Sequence, residues 1–375
     1  MKKSNHIFFL LAICFGSLIF MSSSCEQRKL DKNNQELTDI LEAYTDNTVV
    51  ATYTDMADHA VLLYDFCAQM KSGTGPTTAL MTSAAQEWKS TRKYWEQSEA
   101  FLYGPAEYNS LDPHIDSWPL DQNRLNQVLA QPDILTIDAA YARANFGASL
   151  LGFHAIEYVL FRDGQVRSAT SLSQAELTYL CAISHVLMED CILLEAGWRG
   201  ESAISAAKKK ILEDAELTIS ANFGNEMKRA GENGSRYLSP QQAIHEILEG
   251  CKDIADEVGN SKIADPVESG NVLEVESWQS WNSISDFVDN IISIRNSYYG
   301  GRDGVTTHSL SNYVAAKNKD LDDEIKRNIE TAITKIKAIG EPFRNHLNNK
   351  TGAQEAITAC DNVFLSINKI YNEIE

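Results

Sequence analysis

From Leu37 to Ile374 the apolar residues of this chain recur at three- and four-residue intervals, and no convincing run alternates apolar with polar. That spacing places one face of a helix against a core and excludes a sheet-based architecture. Leu37, Ile40, Leu41 and Tyr44, then Val61, Leu62, Phe66 and Met70, form the first such stripe. It ends where Gly73, Gly75 and Pro76 break the helix. Breakers are scarce, with 8 Pro and 20 Gly in 375 residues. At 43% hydrophobic and 23% charged, the chain has the composition of a globular protein rather than a disordered one. The spacing predicts helices over residues 78–100, 137–161, 173–198, 202–220, 240–258, 275–299, 317–338 and 352–374. Ser173 with Glu176 three residues on is a capping box. A chain of about 350 residues after signal removal is long for one core, so the expected fold is all-α, in two helical-bundle halves packed side by side. These are residues 36–224 and 238–375, joined through a loop that holds Gly224, Gly231 and Gly234.

The N-terminus reads as a targeting segment. Lys2 and Lys3 precede an apolar run, Ile7 to Met21, then Ser22, Ser23, Ser24 and Cys25. This is too short for a comfortable transmembrane helix and reads as a secretory signal. Residues 1–24 are expected to be a lipoprotein signal peptide, with Cys25 as the lipidated first residue, although Ser22 stands where the common lipobox has Leu. Residues 25–35 are polar and read as a tether. The expected location is the cell envelope, on the membrane through a lipid anchor. With 33 Lys+Arg against 52 Asp+Glu, the net charge of −19 argues against nucleic acid as a partner. Cys14 leaves with the signal. The remaining Cys67, Cys181, Cys191, Cys251 and Cys360 contain no C-x-x-C, so a cysteine zinc site is not expected and buried free thiols are.

Four groups of residues could carry chemistry. His154 and Glu157, in Gly152-Phe153-His154-Ala155-Ile156-Glu157-Tyr158, are three apart on one helix face. They could hold a metal or form a structural buried pair. Arg92 and Glu96 lie among Trp88, Trp95 and Glu99, as a salt-bridged face or as part of a site. The loop from Leu111 to Asp121 carries Asp112, His114, Asp116 and Trp118, which also suit turn and cap chemistry. Ser283, Asp286, Asn290, Ser293 and Ser297 form a polar stripe opposite Ile284, Phe287, Ile291 and Ile294, facing either solvent or a cleft between the halves. Zincin motifs fail: His245-Glu246 is followed by Glu249, and Tyr158 stands where an inverted motif needs its second His. No G-x-S-x-G, Walker A or EF-hand loop is present.

Taken together, W-x-x-x-R-x-x-W-E-x-S-E-A-F-L-Y-G-P at 88–105, D-P-H-I-D-S-W-P-L-D at 112–121 and G-F-H-A-I-E-Y at 152–158 resemble the imelysin family of bacterial envelope proteins. The segments at 246–258 and 283–300 look like its Bacteroidetes-type members, and the likeness runs over residues 36–373. The resemblance implies two helical bundles with the G-x-H-x-x-E signature near their interface. It implies His154 and Glu157 as the signature pair and metal ligands, with Arg92, Glu96 and Asp116 as neighbours; Trp118 of the loop and Ser283 and Asp286 of the polar stripe are the further candidate ligand-binding residues. Iron or another divalent metal is the implied cofactor, and iron-uptake or outer-membrane proteins are the implied partners. The family also includes metallopeptidases. That reading needs a third zinc ligand and an open cleft, which the sequence does not supply. A non-catalytic interaction module is the remaining alternative.

Overall fold

The computed structural model describes residues 31–73, 75–219 and 222–374. The signal peptide and Cys25 lie outside the described residues. The first apolar stripe forms one continuous rod: helix α1 (31–44), a π turn at Thr45–Val50, and α2 (Ala51–Ser72). Residues 31–35 are therefore helical and not part of an extended tether. Helix α3 (Thr78–Glu96), capped by Thr77, packs along α2. Short helix α4 (Asp112–Asp116) lies in the loop region, and α5 (Gly152–Leu160) carries the signature pair. Helix α6 (Gln174–Arg199) closes the first half, with the capping box of Ser173 and Glu176 in place. At 26 residues α6 is long and apolar enough to cross a membrane. Its apolar window is 89% buried, which makes it a core helix, packed against α2.

The second half comprises α7 (Pro240–Glu257), α8 (Ser283–Tyr299), α9 (Lys319–Ala338) and α10 (Lys350–Asn368). Helices α9 and α10 pair, α7 packs on α10, and α8 packs on α9. Side-chain oxygens of Ser239, Asn318 and Asn349 cap three of these helices. Among the described residues the strand content is one two-residue hairpin, with Phe161 opposite Val166. All five cysteines after residue 30 are free. Burial pushes the thiols of Cys67, Cys251 and Cys360 up to about 12, so they are inert.

Three predicted spans are corrected. The 137–161 segment is not one helix. It breaks after Ala139–Asn145, passes a 3-10 turn at Ala148–Leu150, and restarts at Gly152 with φ 70°. A left-handed residue cannot continue an α-helix. The 275–299 helix begins only at Ser283, because Ser277 and Trp281 take positive φ in the turn before it. The 222–237 joint is packed: Phe223–Lys228 is helical, and Phe223 lies edge-on to Trp198 with ring centroids 4.8 Å apart.

Candidate functional site

The site is built on a close approach. A Cβ on Gly152 would stand 2.1 Å from the carbonyl oxygen of Ile115, so only glycine lets α4 lie against the start of α5. This places Asp116 over His154, with Nε2 3.1 Å from Asp116 Oδ1. His154 Nδ1 is 3.4 Å from Glu157 Oε2. Glu157 Oε1 accepts from the backbone N–H groups of Gln279 at 3.0 Å and Ser280 at 2.7 Å, and from the Ser280 hydroxyl at 2.7 Å. The signature glutamate thus ties the first half to the turn before α8.

Beside this pair stands Arg92, fully buried on α3. Its guanidinium meets Asp116, Glu96 Oε1 at 2.6 Å, Glu276 Oε1 at 2.6 Å and Asp286 Oδ2 at 3.4 Å. Trp95 Nε1 donates to Asp116 Oδ2 at 2.7 Å, and Asn290 Nδ2 donates to Glu96 Oε2 at 2.6 Å. Ser283 Oγ donates to the Glu276 carbonyl at 2.5 Å, which fixes the backbone that presents that carboxylate. Lys262, 2% exposed, brings a second cation 3.2 Å from Glu276 Oε1, and its ammonium lies 5.3 Å from the Trp118 ring centre. Trp118 also stands beside His154, with ring centres 6.2 Å apart.

Arg92, Glu96, Asp116, Trp118, His154, Glu157, Ser283 and Asp286 therefore converge on one centre, whereas His114 turns to Asp190 at 3.2 Å and Asp112 is exposed. The α8 stripe is buried, and it faces the first half rather than solvent. The compensation for Glu157 comes from Ser280, backbone amides and His154, while Arg92 serves the other four carboxylates. Glu276 and Lys262 were missed. Glu276 fell within a segment read as plain helix, and Lys262 is one surface-type residue after a helix end, so neither carried a local signal.

The charges do not balance if all groups ionise. Glu96, Asp116, Glu157, Glu276 and Asp286 are all buried, against Arg92, Lys262 and His154. Burial would raise Asp116, but Arg92, His154 and Lys262 overcome it and hold the carboxyl well below the usual range. Burial and Arg92 pull the His154 imidazole down, yet Asp116 and Glu157 outweigh them and raise it to about 9. Glu96 and Asp286 are pushed up, first by burial. Both shifts favour the protonated form, the direction that relieves the excess negative charge.

Asp116, His154 and Glu276 can each present a ligand atom within 4.8 Å of the others. Among the described residues, Glu276 Oε2 is buried without a hydrogen-bond partner, and His154 Nε2 has the ion-pair contact with Asp116 as its one polar neighbour, out of hydrogen-bond alignment. Two carboxylates and one imidazole suit a hard or borderline cation, so these residues fit the implied metal. A cavity of about 10 Å³ adjoins His154 and Glu157, bounded by Trp118, Leu120, Tyr158 and Gln279. On the far side of Asp116 a pocket of about 220 Å³ is lined by Glu99, Asp112, Glu257 and Lys262. Burial, then Asp116 and Glu257, raises Asp112 to about 6.

Comparison with known proteins bears on the family and the fold. The family model described as Imelysin matches residues 49–370. A protein named iron-regulated protein A, from Synechococcus elongatus, is 29% identical over 338 residues, which is 90% of this chain and 84% of that protein. A crystal structure described as an iron-regulated protein A precursor from Parabacteroides distasonis superposes with a TM-score of 0.79 at 29% identity, covering 91% of this chain and 96% of the other. An imelysin-like protein from Psychrobacter arcticum shares the fold, with a TM-score of 0.65 at 14% identity over 89% of this chain and 93% of that one.

Proposed function

Since the chain belongs to the imelysin family, we propose that it is a lipid-anchored envelope protein that binds a metal cation, iron foremost, at the buried centre between its two helical halves. The observation that carries this is the five-to-three imbalance of buried carboxylates over cationic groups around His154. His154 must give up its proton to ligate, which leaves an excess of three, and a divalent cation would offset two of these. Asp116, His154 and Glu276 would hold it, and the bound cation would supply charge neutralisation and a Lewis-acid centre. Arg92 and Lys262 keep the remaining carboxylate oxygens in place, while Trp95 and Ser280 fix Asp116 and Glu157 by hydrogen bonds. The printed name of the Synechococcus elongatus relative supports iron as the first metal to try. The N-terminal lysines, apolar run and Cys25 support the envelope location.

Calorimetry of the purified protein against ferrous, zinc and calcium ions tests the reading. The expected result is one site, with His154→Ala and Glu276→Gln each weakening binding by about tenfold or more at unchanged helical content. Parental affinity in both variants would sink the reading. Cys25→Ala should leave the membrane fraction. Peptide hydrolysis at the same centre is less well supported, because a cavity of about 10 Å³ beside His154 admits one water and no peptide.

A further inference from the structure

The rod of α1 and α2 begins at one end of the molecule, and that end carries an apolar side chain left in water. Asn34, on the first turn of α1, accepts from Gln241 Nε2 through its Oδ1 at 2.8 Å. Gln241 lies on the first turn of α7, three residues after Leu238. The loop that ends at Leu238 is held in place. Gly231 N–H donates to the Tyr237 carbonyl at 2.9 Å, Leu238 N–H donates to Gln242 Oε1 at 2.7 Å, and Ser239 caps α7. Tyr237 is buried, while Arg236 and Leu238 on either side of it are exposed. Leu238 is 87% exposed, against 57% for Leu135, the next most exposed large apolar side chain among the described residues. The Arg236 guanidinium lies 4.7 Å from the ring centre of Tyr108, itself 45% exposed, and has no carboxylate paired to it among the described residues. Glu232, the one acid between Arg229 and Ser239, is paired with Arg229 at 2.8 Å.

A single exposed leucine carries no message by itself. Leu238 differs by its place beside the start of the rod. Cys25 stands six positions before Asp31, where α1 begins, a reach of at most about 21 Å for extended chain. Asn34 is one helical turn beyond Asp31, about 5 Å along the axis. An acylated Cys25 therefore holds this end of the body toward the bilayer. We propose that residues 231–239 form a second membrane contact, in which Leu238 enters the acyl boundary of a phospholipid bilayer while Tyr108 and Arg236 meet the headgroups. Tyrosine suits that level because one end of it is apolar and the other wet, and arginine because its planar fork pairs with phosphate. One leucine binds a membrane weakly. Beside an anchored tether it meets lipid at high local concentration, so the contact forms only in the anchored protein. This rests on the lipid-anchored reading above and adds to it the orientation of the body. A lone anchor leaves the body free to swivel, whereas two points of contact stand the rod away from the bilayer.

The test uses the full acylated chain in vesicles of phosphatidylethanolamine and phosphatidylglycerol. A polarity-sensitive dye is placed on Asn233→Cys, exposed in the same loop, and nitroxides on the lipid acyl chains act as quencher. The reference is the same dye on Leu62→Cys. Leu62 is 43% exposed on α2 and lies 31 residues along the rod from Asp31, about 46 Å from that end. Parent protein treated with the dye gives the background from native cysteines. The Asn233 dye should shift to the blue and be quenched by the nitroxides, and the Leu62 dye should do neither. Leu238→Asp should reduce the quenching at Asn233 by about tenfold, the worth of one leucine moved between water and an apolar phase. Its melting temperature should stay parental, because the side chain is exposed. Equal quenching in Leu238→Asp and in its Leu238 parent would mean that the loop is near lipid only through the tether, and would overturn the proposal. Quenching at Asn233 no greater than at Leu62 would also overturn it, and is the result if a partner protein covers the loop. A lowered melting temperature in Leu238→Asp would assign Leu238 a structural role and overturn it as well. If mass spectrometry finds acyl chains on Cys25, those failures leave the anchored reading standing. A Cys25 without acyl chains removes both.

Discussion

At the residue scale, Glu157 is an anchor as well as a candidate ligand. One of its oxygens accepts three hydrogen bonds from the Gln279–Ser280 backbone and the Ser280 hydroxyl. Glu157→Ala strands two buried N–H groups and should cost roughly 3–5 kcal/mol, by analogy with breaking one partner of a buried charged network. Glu157→Gln keeps an acceptor oxygen and should cost less than half as much, as denaturant melts will tell. Equal losses in the two variants would show that the hydrogen bonds are unimportant. The sequence made this residue visible through its spacing from His154, since three positions on a helix fix a shared face. Its real partners are 122 and 123 residues away, and no local pattern reports them. The same holds for Arg92, which meets Glu276 across 184 residues. Which acids face a given buried base is decided by how the halves dock.

At the element scale, the decisive contact is the start of α5 against α4. Gly152→Ala would drive a Cβ into the carbonyl groups of Ile115 and His114 at a backbone angle that L-residues resist. Neither neighbour is a flexible side chain, so relief requires moving the α4 backbone and with it Asp116. The expected cost is about 3 kcal/mol or more in thermal or denaturant unfolding, with cation affinity falling in parallel. A Gly152→Ala variant with parental stability would mean that α4 is free to shift. Caps and apolar stripes made most helices legible, including Pro240–Glu257 and the box at Ser173. The 137–161 and 275–299 segments misled because their apolar spacing continues through residues of positive φ. A periodic pattern records which faces are buried and says nothing of where the backbone reverses hand.

At the scale of the molecule, one apolar core runs through both halves, and hydrogen bonds and ion pairs also join them. Gln97 Nε2 donates to Asp289 Oδ1 at 2.7 Å, Ala100 N–H to Ser293 Oγ at 3.2 Å, and Thr48 Oγ1 to the Asn296 carbonyl at 3.1 Å. The rod of α1 and α2 also spans them, for Asn33 and Asn34 bond Tyr313 and Gln241 while α2 packs on α3 and α6. Burial raises the Asp289 carboxyl to about 7, with Gln97 opposing and Asp286 adding. Its unfolded-state value is near 4, so between about pH 4 and 7 the unfolded chain gives up a proton that the folded one keeps. Stability from this group is present at low pH and lost as pH rises through 7. Asp289→Asn should therefore match the parent at pH 4 and exceed it by about 2 kcal/mol at pH 8, after allowance for partial exposure. A constant difference across that range would assign the shift elsewhere. The lasting consequence lies with Arg92 and Lys262, which hold the acids in position with no metal ion present. If a cation binds as proposed, the empty and loaded proteins would share one silhouette. Any receptor that must tell cargo-bearing from vacant copies has to sense a change of electrostatic potential at the seam, since contour alone would carry no message.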